Sequence, residues 1–190
     1  MSPRHQLTFR LLLALCVAAM LSAPILAKEE LEVRQAQIRL VDGIYQLDAT
    51  VDFHLSQNAL EALDNGVPLT IVTHIQVRRT KAWMWEDSLL DLQIRNAIRY
   101  KPLSENYEVY RLPGSSGRSF VTREAAIRAL GELTDLELVD RKDLDPDEDY
   151  EVQVKVFLDI EELPLPLRPL AYLMPSWKLS SGWTKWPITD

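Results

Sequence analysis

Ile44-Tyr-Gln-Leu-Asp-Ala-Thr-Val-Asp-Phe-His-Leu55 decides the fold class of this chain. Tyr45, Leu47, Ala49, Val51, Phe53 and Leu55 fall on one side of an extended backbone, and Asp48, Thr50, Asp52 and His54 fall on the other. Successive side chains of a strand point to opposite faces, so this alternation describes a strand with one dry and one wet side. Upstream, Val33 to Val41 meets it across Asp42-Gly43. That pair accepts positive φ in a two-residue turn, and the two strands read as a hairpin.

The same period recurs downstream. Leu69, Ile71, Thr73, Ile75 and Val77 alternate in a strand that runs towards Trp83 and Trp85. In the next, Leu90, Leu92, Ile94, Ile98 and Tyr100 oppose Asp91, Gln93, Arg95 and Arg99. Tyr107 to Arg111 and Leu136 to Val139 are shorter strands. Two short helices interrupt the pattern. Ser56 caps the first and Asn65-Gly66 ends it; Thr122 opens the second, whose Ala126, Ile127 and Leu130 can face a core. Leu112 to Arg118 is a flexible loop by composition.

Val152, Val154 and Val156 alternate with Glu151, Gln153 and Lys155 in a long half-buried strand. Leu144 and Pro146 stand ahead of Tyr150 with the spacing of a tyrosine corner, whose hydroxyl bonds back to upstream backbone. The expected fold is therefore mainly β: an antiparallel two-sheet sandwich, immunoglobulin- or fibronectin-like, with about eight strands and two short helices in the connections. The alternative is an α+β sheet with both helices on one face.

The first 27 residues have the layout of a secretory signal peptide. Arg4, His5 and Arg10 give a positive start, Leu11 to Leu21 is an unbroken apolar run, and small residues close the segment at Ala23 and Ala27. The run is too short to span a bilayer comfortably. Cleavage after Ala27 leaves residues 28–190 as one β-rich domain; an uncleaved leader acting as an inner-membrane anchor is the alternative, because Ile25 is large for its place before the cut. The expected location is the periplasm.

The one cysteine, Cys16, lies inside the leader, so the mature chain has no thiol for a disulfide, a metal or nucleophilic attack. Losing Arg4 and Arg10 leaves 19 basic against 28 acidic residues, a net charge of −9. That balance argues against nucleic acid and against adhesion to an anionic lipid surface, so no direct lipid binding is expected of the mature domain.

Arg99-Tyr-Lys-Pro-Leu-Ser104 with Tyr107, then Phe120-Val-Thr-Arg-Glu-Ala125 with Ala129-Leu-Gly131, form one motif. Leu163-Pro-Leu-Pro-Leu-Arg168 and Trp177-Lys-Leu-Ser-Ser-Gly-Trp183 form another. Together they resemble the proteobacterial domain of unknown function 4390, over nearly all of the mature chain. The resemblance implies an exported Gram-negative protein and brings no activity and no catalytic residue.

The residues themselves carry no reaction. His54 and His74 sit on the polar sides of two strands, and with only Asp52 near them they fall short of the tetrahedral set a zinc ion needs. Asp143 to Asp149 alternates acids as calcium loops do, but Glu148 stands where the sharp turn needs glycine. Gly114-Ser-Ser-Gly117 lacks the G-x-S-x-G spacing. Neither catalytic residues nor cofactors are expected.

The tryptophans are the candidate interaction surface. Trp83 with Trp85, and Trp177 with Trp183, share strand parity, and Trp186 follows in the Trp-rich segment 177–187. Large amphipathic rings serve as protein hot spots or sugar platforms, and they also close the ends of sandwiches. Pro164, Pro166 and Pro169 predict an extended, stiff connector over 163–175, with Arg168 paired to Glu161 or Glu162. The functional expectation is a non-catalytic periplasmic interaction module. It would dock on an envelope or inner-membrane protein through a sheet edge or a tryptophan-lined end. The alternative is a glycan- or peptidoglycan-fragment-binding domain that stacks sugars on tryptophan.

Overall fold

The computed structural model describes residues 31–83, 86, 88–114 and 116–189. The expected leader and Trp85 lie outside the described residues. The hairpin forms as its alternation requires: β1 (Leu31–Val41) pairs with β2 (Ile44–Phe53) across Asp42-Gly43, both at positive φ. Then follow α1 (Gln57–Asp64), β3 (Leu69–Arg79), β4 (Leu90–Lys101), β5 (Asn106–Arg111), β6 (Gly117–Phe120), α2 (Arg123–Leu130), β7 (Glu132–Asp140), β8 (Tyr150–Leu158), α3 (Arg168–Leu173) and β9 (Ser180–Pro187). The strands form two antiparallel sheets. One has three strands in the order β1-β2-β7; the other has six, β6-β5-β4-β3-β8-β9. The fold is mainly β and sandwich-like.

The core lies between the sheets. Leu47 and Val51 of β2, Ile71 and Ile75 of β3, and Val154 of β8 are buried there, each on the apolar side of its alternating strand. Burying such aliphatic side chains contributes roughly 1.5–3 kcal/mol each before chain entropy is subtracted. Both expected helices are capped as their sequences dictate: Ser56 Oγ accepts from the Ala59 amide at 3.2 Å, and Thr122 Oγ1 from the Ala125 amide at 3.3 Å. Gly66, at φ +81°, follows the first helix. At the end of α2, a Cβ on Gly131 would fall 2.2 Å from the Val51 carbonyl oxygen, so only glycine lets this helix close on β2.

Two segments depart from the sequence reading. The tail of the 112–118 loop becomes β6, because Gly117 lets that edge strand press against Val109 and Tyr110, where a Cβ would collide. The proline-rich connector is not extended: it makes a turn and then the third helix, α3. Pro169 sits in that helix's first turn, where an amide N–H has no partner to lose.

The edge strand β7 is irregular. Asp135 has φ +51°, and the β2–β7 register shifts on either side of Gln46 and Leu47. Asp48 Oδ1 accepts from the Asp135 amide at 2.8 Å, while Arg39 reaches both carboxylates at 2.7 and 3.0 Å.

The register gives the sandwich two different ends. At one, the chain enters at Leu31 opposite Phe53, β2 runs on into α1, and α2 feeds into β7. Asn58 of α1 donates to Ser176 Oγ at 2.8 Å, which ties the segment after α3 to the same end. We call this the helical end. The other, the turn end, carries Asp42-Gly43, the β3–β4 loop with Trp83, and the start of β8.

Candidate functional site

The expected tryptophan surface is taken apart by the fold. Trp177 does not share a strand with Trp183: it ends a single 3₁₀ turn (Pro175–Trp177) and is 5% exposed, inside the core. Its large ring closes the helical end from within, so it offers nothing to a partner. Trp186 pairs opposite Val152 and packs partly buried against the core, whereas Trp183, three residues earlier on β9, stands on the outer face at 40% exposure. Trp83 is 72% exposed, but in the β3–β4 loop rather than on a strand. Arg168 does not pair with Glu161 or Glu162. Its Nε donates to the Leu163 carbonyl at 2.7 Å, and Glu162 is taken by Arg95 at 2.7 Å.

The tyrosine corner has the geometry that spacing called for. The Tyr150 hydroxyl accepts from the Asp145 amide at 3.1 Å, with Leu144 and Pro146 beside it around a cleft at the turn end. The two histidines lie apart: His54 follows β2 of the three-stranded sheet, and His74 is on β3 of the other.

Around His74 the outer face of the six-stranded sheet gathers polar side chains in register. Gln93, His74, Lys155 and Trp183 stand in one row across β4, β3, β8 and β9; Asp91, Gln76, Gln153 and Lys185 form the next. His74 Nε2 lies 2.7 Å from Asp91 Oδ1, and Gln76 Nε2 donates to Asp91 Oδ2 at 2.6 Å. Those contacts, Gln76 first and then His74, hold the Asp91 carboxyl below its usual range. The Trp183 ring packs against His74 at 4.9 Å between centroids, tilted by 58°. Further along the same face, Glu108 is nearly buried between Lys101 at 2.8 Å and Arg99 at 3.0 Å. Lys101, then Arg99, keep its carboxyl ionised to lower pH than usual. These groups neutralise one another in pairs. Among the described residues, no three metal-ligating side chains converge.

The largest surprise is at the helical end. Leu165, Leu170, Tyr172, Leu173 and Met174 are all exposed within ten residues, Leu173 at 80%. Beside them α1 and α3 frame an apolar groove lined by Ala62, Val67, Leu167, Leu170, Met174 and Trp177. Two further apolar tips emerge at this end from other elements: Leu103 in the β4–β5 turn, fully exposed, and Val121 ahead of α2, at 85%. The sequence carried a signal for this surface. Leu163 to Met174 is apolar at nearly every position, and no turn or short helix can bury all its sides.

This is a mainly β, two-sheet module with seven of its large exposed apolar side chains, among the described residues, at one end. The chain belongs to the family described as a domain of unknown function, DUF4390, whose model matches residues 28–187. Comparison with curated proteins and with solved structures gives no match.

Proposed function

We propose that this protein is a non-catalytic interaction module of the Gram-negative envelope, exported by its leader into the periplasm, and that it docks through its helical end. The observation that carries the reading is the run of exposed apolar side chains from Leu165 to Met174 beside the α1–α3 groove. Apolar patches of this kind on a folded domain mark contact surfaces, because leaving them in water is unfavourable. The polar face around His74 supports the non-catalytic part: its carboxylates are matched to cations and amides, not held apart with divergent pKa values on apolar walls.

The test is photocrosslinking in cells. A photoreactive residue replacing Leu170 should give an adduct in the envelope fraction, and one replacing Lys142 at the turn end should not. Recovery of the bare monomer from both positions, or of the intact chain in the cell interior, sinks the proposal.

A second reading has one observation in its favour. Trp183 lies half-exposed over His74 among the amides of Gln76, Gln93 and Gln153, a ring-and-amide surface of the kind that stacks and hydrogen-bonds a sugar. Quenching of tryptophan fluorescence by peptidoglycan fragments, abolished by Trp183→Ala, is its expected outcome. A flat titration removes it.

A further inference from the structure

We infer that the helical end rests on a zwitterionic lipid bilayer, inserting its apolar tips at the boundary between headgroups and acyl chains. The inference deepens the docking reading above and rests on it. Three observations carry it.

The apolar tips come from separate elements yet point off the same end. Leu103 belongs to the β4–β5 turn, Val121 to the approach to α2, and Leu165 to Met174 to the α3 segment. The end is continuous: Asn58 of α1 holds Ser176, while Asp64, which closes α1, accepts from Tyr107 of β5 at 3.1 Å and from Arg123 of α2 at 2.8 Å. A protein partner is usually met by a compact, shaped patch with anchors in pockets. A rim of aliphatic tips spread across one end of a sandwich instead suits a planar, deformable apolar phase. Tyr172, half-exposed among the leucines, has the amphipathic ring that settles at headgroup level.

The chain also enters at this end. Leu31 starts β1 beside Phe53, and only nine residues lie between it and Leu21, the last residue of the apolar run. That stretch reaches at most roughly 35 Å when extended. A leader retained in the membrane would therefore hold this end, and not the turn end, against the bilayer. Stable membrane attachment takes two weak signals, and the run and the rim would supply one each.

Charge selects the lipid. At this end Arg123 pairs with Asp64, Arg95 with Glu162 and Arg168 with a carbonyl, and the exposed Arg128 and Lys178 are outnumbered by Glu61, Glu105 and Glu161. With a net charge of −7 on the whole chain, no cationic field draws an anionic leaflet. Attachment would come from insertion, which the negative charge opposes least on a zwitterionic surface.

The experiment uses the full chain carrying Cys16→Ser, with a single cysteine introduced by Leu173→Cys or, at the turn end, by Lys142→Cys, and labelled with an environment-sensitive dye. With phosphatidylcholine vesicles the label at 173 should shift to shorter wavelength and be quenched by lipid-borne spin labels. The label at 142 should do neither. Leu170→Asp, added to the 173-labelled chain, should abolish the shift, and adding phosphatidylglycerol should not strengthen it. Equal shifts at both positions, no shift at either, or a shift that needs phosphatidylglycerol overturns the inference. If position 173 stays silent with vesicles while a photoreactive group at Leu170 captures a protein in cells, the bilayer is wrong and the docking surface stands. If both are silent, both fall.

Discussion

The two ends of the sandwich are closed by the same sheets in opposite ways. At the turn end, tight turns and backbone hydrogen bonds do the work: Asp42-Gly43 reverses the hairpin, and the Tyr150 hydroxyl ties down the 145 amide. Among the described residues its exposed apolar side chains are Leu40 on β1 and Trp83 and Leu89 in the β3–β4 loop. At the helical end a buried tryptophan and three helices make the closure, and seven large apolar side chains remain outside it. Among the described residues the larger apolar surplus therefore lies at the helical end.

That contrast can be broken experimentally, beginning where the effect is greatest. Trp177→Ala removes the ring that fills the helical end and should cost about 3–5 kcal/mol, read as a fall in denaturant midpoint with unchanged slope. A loss below about 1 kcal/mol would mean that the helices, not the ring, hold this end. Glu108→Gln should cost less, about 1.5 kcal/mol at neutral pH, because one acceptor of two charge-assisted bonds loses its charge. Its pH dependence has a fixed sign. The folded carboxyl titrates lower than the unfolded one, so its contribution is complete above the unfolded value of about 4.3 and is lost as pH falls through the folded value. The gap between wild type and Glu108→Gln should accordingly narrow on acidification below about pH 4, and a gap that is constant with pH would contradict the pairing. Smallest is Tyr150→Phe at the turn end. It should cost about 1 kcal/mol, the worth of one hydrogen bond. If it rivals Trp177→Ala, the two ends are not closed by different physics after all.

The sheets were legible because polar and apolar residues alternate along β2, β4 and β8. Burial follows that period in β2, whereas β3 and β8 each begin with five buried residues in a row. The strand expected to be half-buried at Val152 to Val156 is therefore largely covered on both faces. The capped helices were legible because Ser56 and Thr122 do locally what N-caps do. Strand parity failed at the tryptophans, since it presumes a strand and Trp177 sits in a 3₁₀ turn. Proline forbids a helix interior but not a helix start, and at 163–175 Pro169 starts one. The cluster around His74 was beyond local reading: Asp91 is 17 residues away, and only the β3–β4 register brings it alongside. The apolar rim was legible only in part: the run Leu163 to Met174 holds more apolar side chains than a short helix can bury, but Leu103 and Val121 join it only through the fold.

The kink in β7 has a consequence for crowded conditions. A straight outer strand offers a row of open amides and carbonyls on which a neighbouring copy can build. Asp135, turned into the left-handed region and clamped by Asp48 and Arg39, interrupts that row in the middle of the exposed ladder. That edge of the three-stranded sheet is thus a poor template for a neighbouring copy of the chain.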